Sequence, residues 1–145
     1  MYKFNLEPLL NHRRYQEEVL QKELAALKRG LSAEERTLKA LRKKKRKFLV
    51  QFQKKQKDGR PAAEIKLYFD FVDHLSKEIE IQHQKVKEAE RMFNSKRQDL
   101  IATMKKRKTL DRLKEKGWQT HQQDQLKKER SRMDEVADFQ HRLKS

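Results

Sequence analysis

Five histidines, His12, His74, His83, His121 and His141, are the side chains of this sequence best suited to hold a metal ion or move a proton. Their spacing suits neither task. No pair stands at i, i+4 with a carboxylate between, the pattern that puts two imidazoles and a general base on one helical face. His74 and His83 are nine residues apart and do not share a face cleanly. Cysteine is absent, which removes thiolate chemistry, disulfides and cysteine-based zinc sites. There is no glycine loop to cradle phosphate and no serine at a nucleophile elbow. Carboxylates are many but scattered, without a pocket to shift their pKa. The sequence predicts no enzyme, no metal and no cofactor.

Cations and aromatics point instead to binding. Arg42-Lys43-Lys44-Lys45-Arg46-Lys47 is the densest basic run and Lys105-Lys106-Arg107-Lys108 the second. Either could grip phosphates with strong salt dependence. Neither is interleaved with aromatics for base stacking. A solvated helix face, an acidic protein partner and nucleic acid all fit, so a basic nucleic-acid-binding coiled coil stands as the alternative function. Phe48, Phe52, Tyr68, Phe69 and Phe71 are five of the chain's eleven aromatics, all within two or three helical turns of residues 58–61. A two-helix seam buries one stripe, so Phe69 and Phe71 cannot both join Tyr68 inside it. At least one is expected to be exposed, as a protein-binding anchor or as extra packing. Membrane-surface attachment through Phe69 and Phe71 ranks last, because neither arm has a broad apolar face.

The elements that would position these groups are two long helices. Gly and Pro fall together only at Asp58-Gly59-Arg60-Pro61. Gly59 can take the left-handed conformation that ends a helix, and Pro61 suits the first turn of the next. The competing reading is a flexible linker between independent helices. Before it, alternating steps of three and four select Leu10, Arg13, Glu17, Leu20, Leu24, Leu27, Leu31, Glu34, Leu38, Leu41, Lys45, Phe48 and Phe52. After it they select Tyr68, Val72, Leu75, Ile79, Gln82, Val86, Ala89, Phe93, Lys96, Leu100, Thr103, Arg107 and Leu110. Nine of thirteen are apolar in each set, where the 34% apolar composition would give about four by chance. The spacing predicts an all-α fold, a long antiparallel two-helix coiled coil or helical hairpin. Helix one spans about 5–57, the tip 58–61 and helix two about 62–118, with 119–145 a helix-prone tail that orders on a partner. Asn5 is the candidate N-cap. Facing residues should have numbers summing to about 120 if the arms close at the tip, and each arm should be about 70 Å long. Among the polar seam positions, Lys and Arg are expected to lay their methylenes on the stripe and keep their charge in water. Arg13 opposite Arg107 is unfavourable unless Glu17 bridges them. Gly117-Trp118 is a candidate bend.

Composition supports this reading over a round globular domain. Of the 145 residues 41% are charged, with three Gly and two Pro. Low hydropathy and high charge also suit disorder, and the sustained heptad decides against it. Net charge is +16, concentrated in residues 1–118, where 32 Lys/Arg stand against 17 Asp/Glu. Such a charge favours acidic partners and opposes self-association. The N-terminal residues have no apolar core of a signal peptide, and no apolar run approaches the roughly 20 residues of a membrane span. A cytosolic protein is the expectation.

Three local patterns resemble the flagellar export protein FliJ family and its type III secretion counterparts. They are Phe4-x-Leu6-x-x-Leu9-Leu10-x-x-Arg13 followed by Glu17, then Tyr68-x-x-Phe71-x-x-x-Leu75-x-x-x-Ile79-x-x-Gln82, and Met133-Asp134-Glu135-x-Ala137. Their order and spacing cover nearly the whole chain. The resemblance implies a non-enzymatic, cytoplasmic component of the export apparatus, peripheral at the cytoplasmic face of the inner membrane. It implies a shaft-like coiled coil that binds the hexameric export ATPase FliI and promotes its assembly. It also implies contact with the cytoplasmic region of the export gate FlhA and with export chaperones, and no nucleic acid. Carried onto this chain, gate binding falls on Phe48, Phe52, Phe71 and Leu75 at the tip. ATPase binding falls on Arg13, Arg14, Glu17, Met133, Asp134 and Glu135 at the open end. The run 42–47 has no counterpart in the family pattern.

Overall fold

A computed structural model describes residues 1–57 and 59–144. It contains two α-helices, α1 (Glu7–Gln56) and α2 (Ala62–Lys144). The fold is all-α, an antiparallel two-helix coiled coil. Contacts divide it into a unit formed by Met1–Glu18 with Ile101–Ser145 and a unit formed by Val19–Leu100.

The turn between the helices lies in the second unit and uses the backbone freedom of its sequence. Gly59 has φ of 69°, in the left-handed region where a side chain is strained. Its N–H donates to the Gln56 carbonyl at 3.3 Å, closing the end of α1. The Pro61 carbonyl accepts from the N–H groups of Glu64 and Ile65, at 3.1 and 3.3 Å, and so opens α2. Asp58, which the sequence places in this turn, lies outside the described residues. At the start of α1 the Glu7 N–H donates to the Phe4 carbonyl at 3.1 Å and the Leu10 N–H to the Leu6 carbonyl at 2.9 Å. A backbone turn does the capping there, and among the described residues Asn5 contributes no side-chain bond. Glu7 in the first turn and Lys54 and Lys55 in the last have the charges that the α1 dipole favours.

All thirteen seam positions assigned on each arm are buried or half-buried. In the unit Val19–Leu100 the core holds Leu38, Leu75, Val86 and Leu100; in the other it holds Leu10 and Leu110. Register follows the rule of facing numbers that add to about 120 for arms closing at the turn. Phe52 packs on Tyr68 with ring centroids 4.2 Å apart, Lys96 pairs with Glu23 at 2.9 Å, and Lys114 pairs with Glu7 at 2.9 Å.

Five of the polar seam residues, Glu17, Glu34, Gln82, Lys96 and Arg107, have partners on the facing helix, which corrects the expectation that snorkelling accounts for most of them. Glu17 is buried and its carboxylate accepts from the Arg107 guanidinium. Arg107 also donates to Asp111 at 2.7 Å, and Asp111 accepts from Arg14 at 3.1 Å. Arg13 turns away to Gln16 at 3.0 Å, so the two arginines do not confront each other. Hydrogen bonds to Glu17 and then Asp111 raise the Arg107 pKa further above its already high ordinary value. Gln82, also buried, donates from its amide to the backbone carbonyl of Glu34 at 3.0 Å and to the Glu34 carboxylate. Each is an obligatory pairing: a polar group taken from water into the seam is costly unless it keeps a partner.

α2 passes through Gly117 without a break. A Cβ at this position would lie 2.0 Å from the Tyr2 hydroxyl, so a larger residue there requires the Tyr2 ring to move. Tyr2 packs against Trp118 and His121, with centroids 6.4 and 5.6 Å away.

The ion pair yields a test. Glu17→Leu leaves Arg107 in the seam with Asp111 alone and should lower unfolding free energy by about 1–2 kcal/mol. Adding Arg107→Leu should restore that loss, because two leucines extend the apolar stripe. Urea denaturation followed by circular dichroism on the four members of this cycle checks it; a double variant weaker than the single one contradicts the pairing.

Candidate interaction surfaces

The first surface is built beside the turn, in the unit Val19–Leu100. Heptad spacing points Phe48 and Phe52 of α1 into the seam, and Tyr68 does the same from α2. The rings form one stack: Phe48 lies 4.3 Å from Tyr68 and 4.3 Å from Phe71, and Phe52 lies 5.8 Å from Phe69 edge to face. Phe71 is half-buried, with the Lys44 ammonium 5.8 Å from its centroid. Phe69 is 57% exposed and Leu67 68% exposed. The seam has taken Phe71 onto its edge and left Phe69 on the surface. The sequence-predicted gate residues Phe48, Phe52 and Phe71 are thus brought together. Leu75 is 1% exposed and is part of the core.

The second surface lies in the unit formed by Met1–Glu18 with Ile101–Ser145. Arg14 and Glu17 are tied into the network with Arg107 and Asp111. Met133, Asp134 and Glu135 are exposed. The helical rise puts Met133 about 39 Å along α2 from Arg107, so the six residues do not form one patch. The sequence reading missed the cluster between them. Tyr2, Trp118, His121 and Leu126 line an open groove of about 710 Å³, with Met1 and Glu129 at its edges. Its signal was available, since Tyr2 and Trp118 obey the same facing-number rule as the seam. From Leu126 at the groove onward, Leu126, Met133, Val136 and Leu143 are more than half exposed. They recur at helical spacing along a stretch of α2 that carries six Lys/Arg and five Asp/Glu over 119–145, close to electrical balance.

Among the described residues no group of three or more His, Asp or Glu is placed to hold a metal. His74 pairs with Glu78 at 2.8 Å on an exposed face. No described helix is long and apolar enough to cross a membrane.

Comparison with known families gives one match. The family described as flagellar FliJ protein matches residues 2–145. The chain belongs to the FliJ family. Membership makes it a component of flagellar export, a type III secretion process. Searches of curated proteins and of solved structures found no match. The two surfaces are therefore those of a FliJ-family coiled coil, one rich in rings and cations, the other nearly neutral over 119–145 with rings and aliphatic side chains together.

Burial separates the roles of the turn-side residues. Leu75→Ala should lower unfolding free energy by about 2–4 kcal/mol, as a leucine-to-alanine change in a core does. Phe69→Ala should stay within about 0.5 kcal/mol of the parent. Thermal or urea denaturation of the two variants side by side is the measurement, and equal losses would contradict the placement.

Proposed function

We propose that this FliJ-family chain is a non-enzymatic partner of the export ATPase FliI. It enters the ring as a shaft-like subunit, promotes ring assembly and links the ring to the cytoplasmic region of the export gate FlhA and to export chaperones. The observation that carries this reading is the family match over residues 2–145. The two surfaces are consistent with two separate contacts.

The gate contact is assigned to Phe48, Phe52 and Phe71, whose rings stack beside the turn. Phe71 offers an edge to a partner; Leu75 supports that edge from inside the seam. Stiff aromatic anchors are effective binding residues because little side-chain entropy is lost on docking. The ATPase contact is assigned to Arg13, Arg14 and Glu17 together with Met133, Asp134 and Glu135. Residues 119–145 then form the segment that docks on the ring. Met133 supplies its apolar contact, and Asp134 and Glu135 offer carboxylates to basic groups of the ring. The excess of cations over residues 1–118 suits an acidic ring lumen or gate. The protein would work in the cytoplasm, at the cytoplasmic face of the inner membrane.

A pull-down with purified FliI and with the FlhA cytoplasmic region tests both halves. Phe71→Ala should weaken gate capture about tenfold or more with helicity and ATPase capture retained, as loss of a hot-spot ring does. Met133→Ser with Asp134→Lys should do the reverse. Stimulation of FliI hydrolysis should also fall as salt rises, because exposed charges are screened beyond about 8–10 Å at physiological ionic strength. Stimulation that is indifferent to salt would remove the electrostatic part of the proposal, and unchanged gate capture by Phe71→Ala would move that surface elsewhere.

A further inference from the structure

No residue of the run 42–47 is assigned a contact of its own above, and its surroundings are more unusual than the run itself. Residues 42–69 carry eleven Lys/Arg against two acids, Asp58 and Glu64. That is +9 of the chain's +16 within 28 residues. Among the described residues, Arg60 is the one cation of the eleven in an ion pair, with Glu64 at 3.1 Å. Lys44 sits over the Phe71 ring. Arg42, Lys43, Arg46 and Lys47 are exposed.

The same segment exposes apolar side chains. Leu49 is 38% exposed, Val50 51%, Leu67 68% and Phe69 57%. Arg42, Lys45, Arg46, Leu49 and Ile79 line one shallow groove, so cations and aliphatics share a surface. The Phe52 ring, next along the seam, touches Phe69.

From this juxtaposition we infer that the turn-proximal segment 42–69 binds directly to an anionic lipid surface. Lys and Arg reach the headgroups, and Leu49 and Phe69, each one residue past a packed seam ring and so on the same flank of the antiparallel pair, enter the interface. Two arguments favour lipid over other anions. Consecutive residues 42–47 turn about 100° each around α1, so their cations point to every side of the helix. A folded protein partner would touch the cations on one side. A charged bilayer attracts all of them, since a helix about 10–12 Å across lies largely within a Debye length of about 8–10 Å. Nucleic acid would share that attraction, but its bases stack on exposed aromatic faces. Three of the four exposed apolar residues here are aliphatic, and aliphatic side chains with basic neighbours are the composition of an interfacial lipid contact. The sequence-based ranking, which put a membrane surface last, counted Phe69 and Phe71 alone; the structure packs Phe71 on Phe48 and sets Leu49 on the flank of Phe69 instead.

Co-sedimentation of the full chain with vesicles tests the inference without any export protein present, so its failure is separate from failure of the gate or ATPase contacts. At physiological salt, vesicles of phosphatidylcholine with phosphatidylglycerol should bind the chain at least about tenfold more tightly than vesicles of phosphatidylcholine alone. The combined variant Arg42→Gln, Lys43→Gln, Arg46→Gln and Lys47→Gln alters exposed side chains only and should lose about a hundredfold in affinity for the anionic vesicles. Leu49→Ser with Phe69→Ser should retain binding at low salt and lose the binding that survives high salt. Equal binding to neutral and anionic vesicles would overturn the inference, as would undiminished binding by the four-residue variant. A double-stranded RNA that displaces the chain from anionic vesicles at equal phosphate concentration would transfer the surface to nucleic acid.

Discussion

Two helices packed side by side can each bury one stripe, and that stripe is the whole core. A residue in it has one facing helix and water on either flank. Apolar burial at about 25 cal/mol per Å² must then come from a single line of contacts. Leu10 and Leu75 are sealed from solvent, while most seam residues remain half-exposed. Under this constraint a polar residue in the stripe interrupts the only hydrophobic contact available at that level. Glu17 with Arg107 and Gln82 with Glu34 are the answer the sequence supplies: each interruption is met by another from the facing helix.

The same geometry explains the division of surfaces. Side chains beyond the stripe's capacity have to stay outside. Beside the turn the surplus is aromatic and aliphatic, set among cations whose carboxylate partners are scarce. Along the later part of α2 the surplus is Leu126, Met133, Val136 and Leu143, set among charges of both signs. A FliJ-family chain with contrasting surfaces of this kind has the means to engage different partners through exposed helix faces and open grooves.

Most of the fold was legible because a heptad is a one-dimensional code. The three-four steps named the seam residues, and Gly59 with Pro61 named the turn, since each requirement is local. What could not be read was which polar seam residues would meet. Arg107 had several carboxylates within a side chain's reach, and its length fits both snorkelling and pairing; only the facing helix decides. Phe69 and Phe71 were equally undecided, because two residues of sequence separate opposite flanks. Tyr2 and Gly117 were missed for a different reason. The sequence showed glycine as a break, whereas the packed chain uses it as clearance for a tyrosine hydroxyl.

The matched polar layers also forbid sliding. A heptad repeat by itself is nearly degenerate, since a shift of seven residues puts leucine against leucine again. Here a shift of one heptad either way would carry the Gln82 amide from Glu34 to Leu27 or Leu41. One of those shifts would carry Arg107 from Glu17 to Leu10. Each slip strands a hydrogen-bonding group against hydrocarbon, so each unit acts as a toothed rather than a smooth bearing, able to take an axial load without its helices ratcheting past each other.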